Sequence, residues 1–337
     1  LSDHERQAQE GKEAFNLAPS PEPVDIALPL LPSLREAAFH VFLAVAGGSA
    51  LHLPGQILSD ALIDFVKGLN QVGGHLSWDA DGNITNRAGS VPKFGDRVIY
   101  AGEDSLHFYL LCALALASPG KVKFTGGSGL KLADLSAWRN TLPFLGARQA
   151  HLVPKSNGLP VHIECSALFD ESVELPEFTP ADGLCALLLA APFWGVPIKL
   201  DGAANPAWDT VLNEILPIFK RNGINFTREQ SSVSFSGEKP AAIPENPSLT
   251  PDPLLSTLIL SIAALNPGKV TLAGAPDKNA PGAEALYKLM DWAALRLEVK
   301  GNGLSVFRPE RDKRAASGPV GPAPESPSQA GLLPEHA

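Results

Sequence analysis

A short glycine-rich stretch, KVKFTGGSGLK at 121–131, has residue types that could bind a phosphate. Its glycines could aim consecutive backbone N–H groups at an anion, and Lys131 could add a positive charge. The glycine spacing matches neither GxGxxG nor GxxxxGK[ST], the two patterns that fix the glycine positions in phosphate-binding loops. The stretch is therefore more typical of a tight turn after a strand, with Lys131 in solvent.

Other motifs give little support for metal or nucleophile chemistry. The eight histidines show no HExxH or other paired spacing, and the three cysteines show no CxxC. Cys112 and Cys185 lie inside apolar runs, where a thiol usually packs as a small core residue. No GxSxG nucleophile motif occurs. We therefore expect neither a metal nor a cofactor.

Composition and charge narrow the class of partner. The chain has 337 residues, 45% apolar and 19% charged, as in a globular protein with a sizeable core. Its net charge of −9 disfavours nucleic acid and anionic membranes, since both need a basic surface. The first residues, LSDHERQAQEGKEAF, show no signal peptide, and no apolar run reaches the ~18 to 20 residues of a membrane span. We expect a cytoplasmic protein, in which an anionic substrate would need a local basic pocket.

Self-similarity along the chain explains the glycine-rich stretch. Four segments share the predicted order helix, strand, helix, strand, strand. The first strand of each ends alike, as in ALHLPG, KVKFTGG, PIKLDG and KVTLAG, with glycines at 55, 126, 202 and 274. The stretch is thus the second copy of a strand end, and we expect its glycine to let the chain turn with φ > 0 into the next helix.

The helices of these segments predict how the elements pack. LHFYLLCALALA, LCALLLAAPFW and LLSTLILSIAAL are apolar on every side, so segments 108–117, 184–194 and 254–265 should be covered all round. The second helices are amphipathic, as in ALIDFVKGLNQV. A strand, a helix of about ten residues and a further strand favour a right-handed βαβ crossover. The pattern predicts an α/β fold in which mixed sheets enclose buried helices.

Five passages carry a family resemblance: LSDALIDFVKGLNQVGG, AGEDSLHFYLLCALAL, LPFLGA, GLPVHIECSALFDESVELPEFTPADGLCALLLAAP and NPAWDTVLNEILPIFKRNGI. Over about 24–307 the chain resembles the enolpyruvyl transferases, most closely the EPSP synthases (3-phosphoshikimate 1-carboxyvinyltransferases). The resemblance implies an inside-out α/β barrel built from βαβαββ units, with the active site in a cleft between two globes. It also implies transfer of an enolpyruvyl group from phosphoenolpyruvate to shikimate 3-phosphate, a step of aromatic amino-acid biosynthesis.

The same resemblance sets the predicted domains. The family has six units in two globes of three, whereas four units are found here. We expect an N-terminal arm over 1–23, a three-unit globe over 24–240 and a fourth unit over 241–308 as a truncated second globe. The Pro-, Ser- and Ala-rich stretch 309–337 has the composition of a disordered tail.

The ligand-binding motifs of the family are altered in this chain. Where the family has GSKSxSNR, the chain has LPSLREAAF, with Ser33 and Arg35 out of register. Where the family has NAGTxxR, the chain has YAGEDSLHF, in which Glu103 replaces the threonine and His107 is nearest to the arginine. The RP motif becomes LKLAD, which leaves Lys131 nearby.

Two acidic residues complete the implied site. Asp182 stands where the family's SSQ has glutamine, and Asp252 matches the aspartate of EGDxSS. Joining the vinyl carbon to a hydroxyl needs a base, an acid, and basic side chains for two phosphates and a carboxylate. The resemblance therefore implies these roles: catalytic for Asp252 and Asp182, and substrate-binding for Arg35, Ser33, His107 and Lys131.

Each of these residues also has a purely structural interpretation. Lys131 could be a solvated surface lysine, and His107 a core histidine with one hydrogen bond. Glu103 and Asp104 suit the capping of the following helix, and Asp252 before a proline is typical of a helix start. Arg35 could be a first-turn surface residue.

Two functions follow from the sequence. The chain is either an EPSP synthase-like transferase that binds phosphoenolpyruvate and shikimate 3-phosphate, or a catalytically inactive relative of such enzymes. The inactive relative would serve as a binding or assembly partner, for example of another enzyme of the same pathway. Transfer to a nucleotide sugar is a third option, although no reactive cysteine lies in a matching loop. RNA 3′-phosphate cyclases share the unit, but their glycine-rich GEGGGQ-type segment is absent from the sequence.

A geometric criterion separates the two main functions. A transferase should converge three or more basic residues on one concavity, whereas an inactive relative should show an apolar or acidic one. The candidates are Arg35, Lys131, Lys155, His107 and Lys278.

Overall fold

The structure is a computed structural model that describes residues 22–240, 243–266, 268–276, 282–301 and 303–307. Lys278, the predicted tail and all but the last two residues of the predicted arm lie outside these ranges. Within them the chain passes through four successive units with the order helix, strand, helix, strand, strand. Three of the four sheets also contain a strand that lies just before the first helix of a unit.

The first unit begins with a long helix that Ser33 caps and that ends at Gly48 in the left-handed conformation. A strand of the N-terminal stretch precedes it. These elements are β1 (Val24–Leu28), α1 (Leu34–Gly47), β2 (Leu51–Leu53), α2 (Asp60–Gln71), β3 (Leu76–Trp78) and β4 (Ile84–Asn86).

In the second and third units a short strand precedes the buried first helix and pairs with the strand that follows this helix. The second unit comprises β5 (Val98–Tyr100), α3 (Ser105–Ala115), β6 (Gly120–Thr125), α4 (Ser128–Leu132), α5 (Ser136–Thr141), β7 (Ala147–His151) and β8 (Val161–Cys165). The third comprises β9 (Ser172–Glu174), α6 (Ala181–Ala190), β10 (Ile198–Asp201), α7 (Trp208–Arg221), β11 (Thr227–Glu229) and β12 (Ser232–Phe235).

The fourth unit has a core of its own. It comprises α8 (Pro253–Leu260), α9 (Ile262–Leu265), β13 (Gly268–Leu272), α10 (Ala283–Trp292), β14 (Arg296–Lys300) and β15 (Gly303–Phe307). Its buried apolar residues form a cluster separate from the main cluster, which extends from Ala37 to Ile243.

Three of the sheets share one strand order, which places a parallel pair beside an antiparallel set. The orders are β5-β6-β8-β7, β9-β10-β12-β11 and β1-β13-β15-β14, while the remaining sheet is β2-β4-β3. Within the described residues the strands thus form four separate sheets, and no closed barrel is seen.

The parallel pairing of β1 with β13 joins the N-terminal stretch to the fourth unit, with Val24 opposite Gly268. The sequence analysis placed 24–28 in the first globe. The residues around a strand carry no local sequence signal of a parallel partner that lies so far along the chain. The pairing of β1 with the fourth unit could therefore not be predicted. The predicted domain limits otherwise stay predictions.

The main core is built on three apolar helices, α1, α3 and α6, which contact one another. Every residue from Leu106 to Ala115 is buried, as is every residue from Gly183 to Ala190. Because these helices have no polar face, only mutual packing and cover from the sheets can hide them. This arrangement agrees with the prediction for 108–117 and 184–194.

The corresponding helix of the fourth unit differs. Leu254, Leu258 and Leu265 are 68%, 58% and 62% exposed. The prediction that 254–265 is covered all round is therefore wrong for one side of this helix. Only the side towards β13 and α10, which includes Leu260 and Ala263, is buried.

The glycines at the strand ends are required for two different reasons. Gly55 has φ of 62°, as predicted for a turn that favours glycine. Gly126 lacks a positive φ, and a side chain there would instead collide with the Gly102 carbonyl oxygen and with Leu159. The expected left-handed turn is thus wrong for Gly126, where close packing explains the glycine.

No helix among the described residues combines the length and the apolar character that crossing a bilayer requires.

Candidate functional site

Arg35 lies at the centre of a polar cluster where the first and third units meet. Its Nε donates to Glu214 Oε1 (2.6 Å), and Nη1 donates to Asp182 Oδ1 (2.8 Å). Nη2 donates to Cys185 Sγ (3.1 Å) and to Glu214 Oε2 (3.3 Å). We call Arg35, Asp182, Cys185 and Glu214 the Arg35 cluster.

Helix positions explain how these four residues meet. Arg35 lies in the first turn of α1 and Asp182 in the first turn of α6, while Glu214 projects from the middle of α7. An acidic residue in a first turn is stabilised by the helix dipole, which suits Asp182. The Arg35 guanidinium also lies over the Phe39 ring, 5.2 Å from its centroid.

The charges of the cluster do not balance. One guanidinium faces two carboxylates, so the three ionised groups carry a net charge of −1. Burial alone lowers the pKa of Arg35, but the hydrogen bond to Glu214 and the neighbouring negative groups outweigh it and raise that pKa. Burial raises the pKa of the Cys185 thiol, and the Glu214 charge raises it further against the effect of Arg35. At neutral pH the thiol is therefore protonated and weakly nucleophilic.

The start of α3 adjoins this cluster. Ser105 Oγ donates to Asp182 Oδ2 (3.3 Å). His107 is 6% exposed and stacks on Phe65, with ring centroids 4.4 Å apart. Burial lowers the pKa of His107 against the charge of Asp104, so the imidazole is neutral near pH 7. Its position matches the core-histidine interpretation, and a neutral ring is a poor anion ligand.

Ser33 and Asp252 lie together at the crossover between the two cores. The backbone N–H of Ser33 donates to Thr250 O (2.9 Å), and that of Asp252 donates to Leu31 O (2.8 Å). Each side chain caps a helix, because Ser33 Oγ accepts from Glu36 N and Asp252 Oδ1 accepts from Leu255 N. The structure thus shows both residues in capping roles, and their roles towards a substrate stay predictions.

The glycine-rich stretch already holds an anion from its own chain. The Glu103 carboxylate accepts hydrogen bonds from the backbone N–H groups of Ser128 (2.8 Å) and Gly129. A side chain at Gly127 would collide with that carboxylate. Lys131 lies exposed in the last turn of α4. The amide groups that could cradle a phosphate are therefore occupied by Glu103.

The basic residues are only partly brought together. Arg35 lies close enough to His107 for its charge to help lower the pKa of the imidazole, and Asp182 lies near both. Lys131 and Lys155 lie exposed on other segments, in α4 and in the turn after β7. Among the described residues, no hydrogen bond or ion pair joins these lysines to the Arg35 cluster.

A second polar network, missed by the sequence analysis, adjoins the crossover. Glu36 is 5% exposed and accepts hydrogen bonds from Thr250 N (2.8 Å), Thr250 Oγ1 (2.5 Å) and Arg221 Nη2. Burial raises the pKa of Glu36, but the nearby His40 ring (Nε2 to Oε1 3.7 Å), the hydrogen bonds from Thr250 and the charge of Arg221 outweigh it and lower that pKa. The spacing from Ser33 to Glu36 is that of a capping box, which is the only local signal for Glu36. Its actual partners come from distant parts of the chain.

Glu214 and Cys185 were also missed. Glu214 lies in the amphipathic helix NPAWDTVLNEILPIFKRNGI, where a surface glutamate is ordinary. The apolar run around Cys185 predicts a core residue, and this cysteine is buried. Only the docking of α7 beside α1 and α6 shows that both residues contact Arg35.

A concave region of about 760 Å³ lies beside the turn between the second and third units, and its lining includes Pro143, Phe144, Ser166, Leu168, Asp170 and Glu174. None of the predicted site residues lines it. Its charged lining residues are acidic, so it does not supply the basic pocket that an anionic substrate needs.

Comparison with known proteins shows the fold. No protein-family model matches the chain, and no curated protein matches it. Two structures of EPSP synthase from Acinetobacter baumannii match with TM-scores of 0.61 and 15% identity. They cover 85% and 86% of this chain and 66% of the matched chains.

A third match is the enolpyruvyl transferase NikO from Streptomyces tendae, with a TM-score of 0.59 and 13% identity. It covers 87% of this chain and 68% of the matched one. The chain thus spans about two thirds of the length of these structures. At such identity the likeness concerns architecture alone, and by architecture the chain has the enolpyruvyl transferase fold.

Proposed function

We propose that this chain is a non-catalytic protein with the enolpyruvyl transferase fold, which acts as a binding or assembly partner. One observation carries the proposal: the Arg35 guanidinium is held by Asp182 and Glu214. By the criterion set from the sequence, a transferase should bring three or more basic candidates together, and among the described residues only Arg35 and His107 lie close to one another, which favours the inactive relative.

An incoming phosphate or carboxylate would have to replace these partners. Hydrogen bonds to charged groups contribute about 1.5–3 kcal/mol each, and Arg35 makes three with carboxylate oxygens. The displaced carboxylates would remain nearby and repel the anion. Glu103 acts in the same way at the glycine-rich stretch, because it already accepts from the amide groups there.

Enolpyruvyl transfer from phosphoenolpyruvate to shikimate 3-phosphate is the second candidate. It is favoured by the fold and by the placement of Arg35, Asp182 and Asp252 at the N-terminal ends of three helices. In this function Asp182 and Asp252 would move protons, while Arg35, Ser33, His107 and Lys131 would hold the two anionic substrates. Arg35 would then have to exchange its carboxylate partners for substrate.

Calorimetry with phosphoenolpyruvate and shikimate 3-phosphate, alone and together, separates the two functions. We expect no heat of binding at millimolar ligand and no release of inorganic phosphate from the mixture. Binding of one ligand that is strengthened by the other would overturn the proposal and support the transferase.

A charge-removal variant tests the observation itself. The double substitution Asp182→Asn and Glu214→Gln leaves Arg35 without a carboxylate partner, so we expect weak phosphoenolpyruvate binding to appear. Glu177→Gln removes one exposed carboxylate elsewhere and should change nothing. If the folded double variant, checked by circular dichroism, still fails to bind, neutralisation of Arg35 is not what prevents binding.

A further inference from the structure

The edge strand β9 leaves backbone groups open beside the concave region of about 760 Å³. β9 pairs in parallel with β10, and the backbones of Glu171 and Leu175 bond to that strand. Because alternate residues of a strand direct their N–H and C=O groups to opposite sides, those of Ser172 and Glu174 point to the free edge. Among the described residues, no other segment forms a hydrogen bond with these groups. Such an edge can accept a further strand.

The second unit shows how the same edge is closed. β5 has the place in its sheet that β9 has in the next one, and the registers make Tyr100 the equivalent of Glu174. The backbone N–H of Tyr100 donates to Gln71 Oε1 (2.9 Å), a side chain at the end of α2. This bond satisfies the free N–H group of β5, so strand addition there would have to displace Gln71.

The equivalent of Gln71 beside β9 is Phe144. Gln71 lies two residues before Gly73 at the end of a helix, and Phe144 lies two residues before Gly146 in the same setting. Both glycines have a positive φ. A phenyl ring offers no oxygen to an N–H group, so Phe144, which is 51% exposed, leaves the Glu174 N–H open.

The walls of the concave region come from the second and third units, which the structure describes without a gap. The wall formed by 166–168 is fixed, because Ser166 Oγ donates to Gly146 O (2.7 Å) and accepts from Leu168 N (3.1 Å). Leu168 is 76% exposed and adds to the apolar lining. The opening is thus preformed, which lowers the cost of ordering it around a ligand.

Charge selects what can pair with this edge. Asp170 and Glu174 line the region, Glu171 is exposed between them in sequence, and the lining includes no basic side chain. A second β9 edge would bring like charges together, which disfavours pairing between two copies. The chain's own basic segment RPERDKR, at 308–314, includes two acidic residues and no large apolar one. A different segment, both basic and apolar, fits the region better.

We propose that the free edge of β9 binds an extended segment of another protein in which basic and apolar residues alternate. The segment adds a strand to the sheet through backbone hydrogen bonds to Ser172 and Glu174. Its basic side chains pair with Asp170 and Glu174. Its apolar side chains contact Phe144 and Leu168. The proposal rests on the proposed function in one respect, since it gives the chemistry of the partner of a binding or assembly protein.

The probe is a short, end-capped fluorescent peptide of alternating valine and lysine, and fluorescence polarisation with the full chain measures its binding. We expect saturable binding. A peptide of alternating valine and glutamate should bind about tenfold more weakly or worse, because its charge is repelled. A valine–lysine peptide with methylated backbone nitrogens should lose affinity to the same extent, because it cannot donate to the strand edge.

Variants of the chain test the proposed contacts. Phe144→Gln gives β9 the cap that Gln71 gives β5, so it should weaken peptide binding about tenfold or more. Asp170→Asn together with Glu174→Gln should weaken it similarly and reduce its dependence on salt. Glu229→Gln is the matched control, because it removes an exposed carboxylate from β11 at the opposite edge of the same sheet. Circular dichroism checks that each variant is folded.

Four outcomes would overturn the proposal. The first is no binding at millimolar peptide. The second is equal binding of the glutamate peptide or of the methylated peptide. The third is binding that Glu229→Gln weakens while Phe144→Gln leaves it unchanged. The fourth is binding that appears only after removal of 308–337, which would make the chain's own segment the occupant of the edge.

The two proposals can fail separately. A chain that binds both anionic ligands and also the valine–lysine peptide would refute only the non-catalytic function. A chain that is silent to both ligands and to the peptide would refute only the binding of a strand at β9.

Discussion

At the scale of single residues, Arg35 and Glu36 show how neighbours on one helix serve different contacts. Arg35 points to the third unit and is held by Asp182 and Glu214. Glu36 points to the crossover and accepts from Thr250 and Arg221. Consecutive helical residues lie on different faces, so both networks can be anchored by one turn of α1.

The Glu36 network should be visible in the pH dependence of stability. In Glu36→Gln the ion pair with Arg221 is lost, and we expect the free energy of unfolding at pH 7 to fall by about 1–3 kcal/mol. The folded state lowers the pKa of Glu36 below its ordinary value of 4.5. The unfolded chain therefore binds this proton first as pH falls, and the stabilisation is present above pH 4.5 and lost as pH falls through the folded pKa.

Urea unfolding of both chains between pH 7 and pH 3 measures this effect. The difference between wild type and Glu36→Gln should be largest near neutral pH and should shrink below pH 4.5. Glu177→Gln is the control, because that glutamate is exposed. A difference that stays constant over the whole range would show that Glu36 acts through packing rather than charge.

At the scale of elements, the glycine-rich stretch shows what sequence patterns can and cannot predict. The strand β6 and the turn after it follow from composition and from the likeness to three other strand ends. The partner of the turn, Glu103, does not, since it lies 26 positions before Gly129 and meets it only after β5 and β6 have paired. The same limit applies to Glu214 and β1, whose partners depend on docking between distant elements.

Removing Glu103 should loosen this turn. Glu103→Ala leaves the N–H groups of Ser128 and Gly129 without their carboxylate acceptor, and water can replace it because the site is exposed. We expect a loss of about 1 kcal/mol in the free energy of unfolding. Hydrogen exchange should be faster at Ser128 and Gly129 in the variant, with the amides of α6 unchanged. An unchanged rate at both positions would show that the contact contributes no protection.

At the scale of the whole molecule, two cores of unequal size share one chain. The main cluster joins the first three units, whereas the second has nine buried apolar residues among those that the structure describes, including Leu260, Met290 and Val306. The cover of the apolar helices in the second and third units was predictable from sequence because a helix without a polar face has to be covered. The exposure of Leu254, Leu258 and Leu265 was not predictable, since the sequence shows that a helix is apolar but not what packs against it.

The unequal cores lead to a prediction about local stability. Fewer buried residues mean a lower free energy of local opening, so the amides of β13 and β15 should exchange with solvent faster than those of β6 and β8. Equal protection in both cores would show that the two clusters open as one unit.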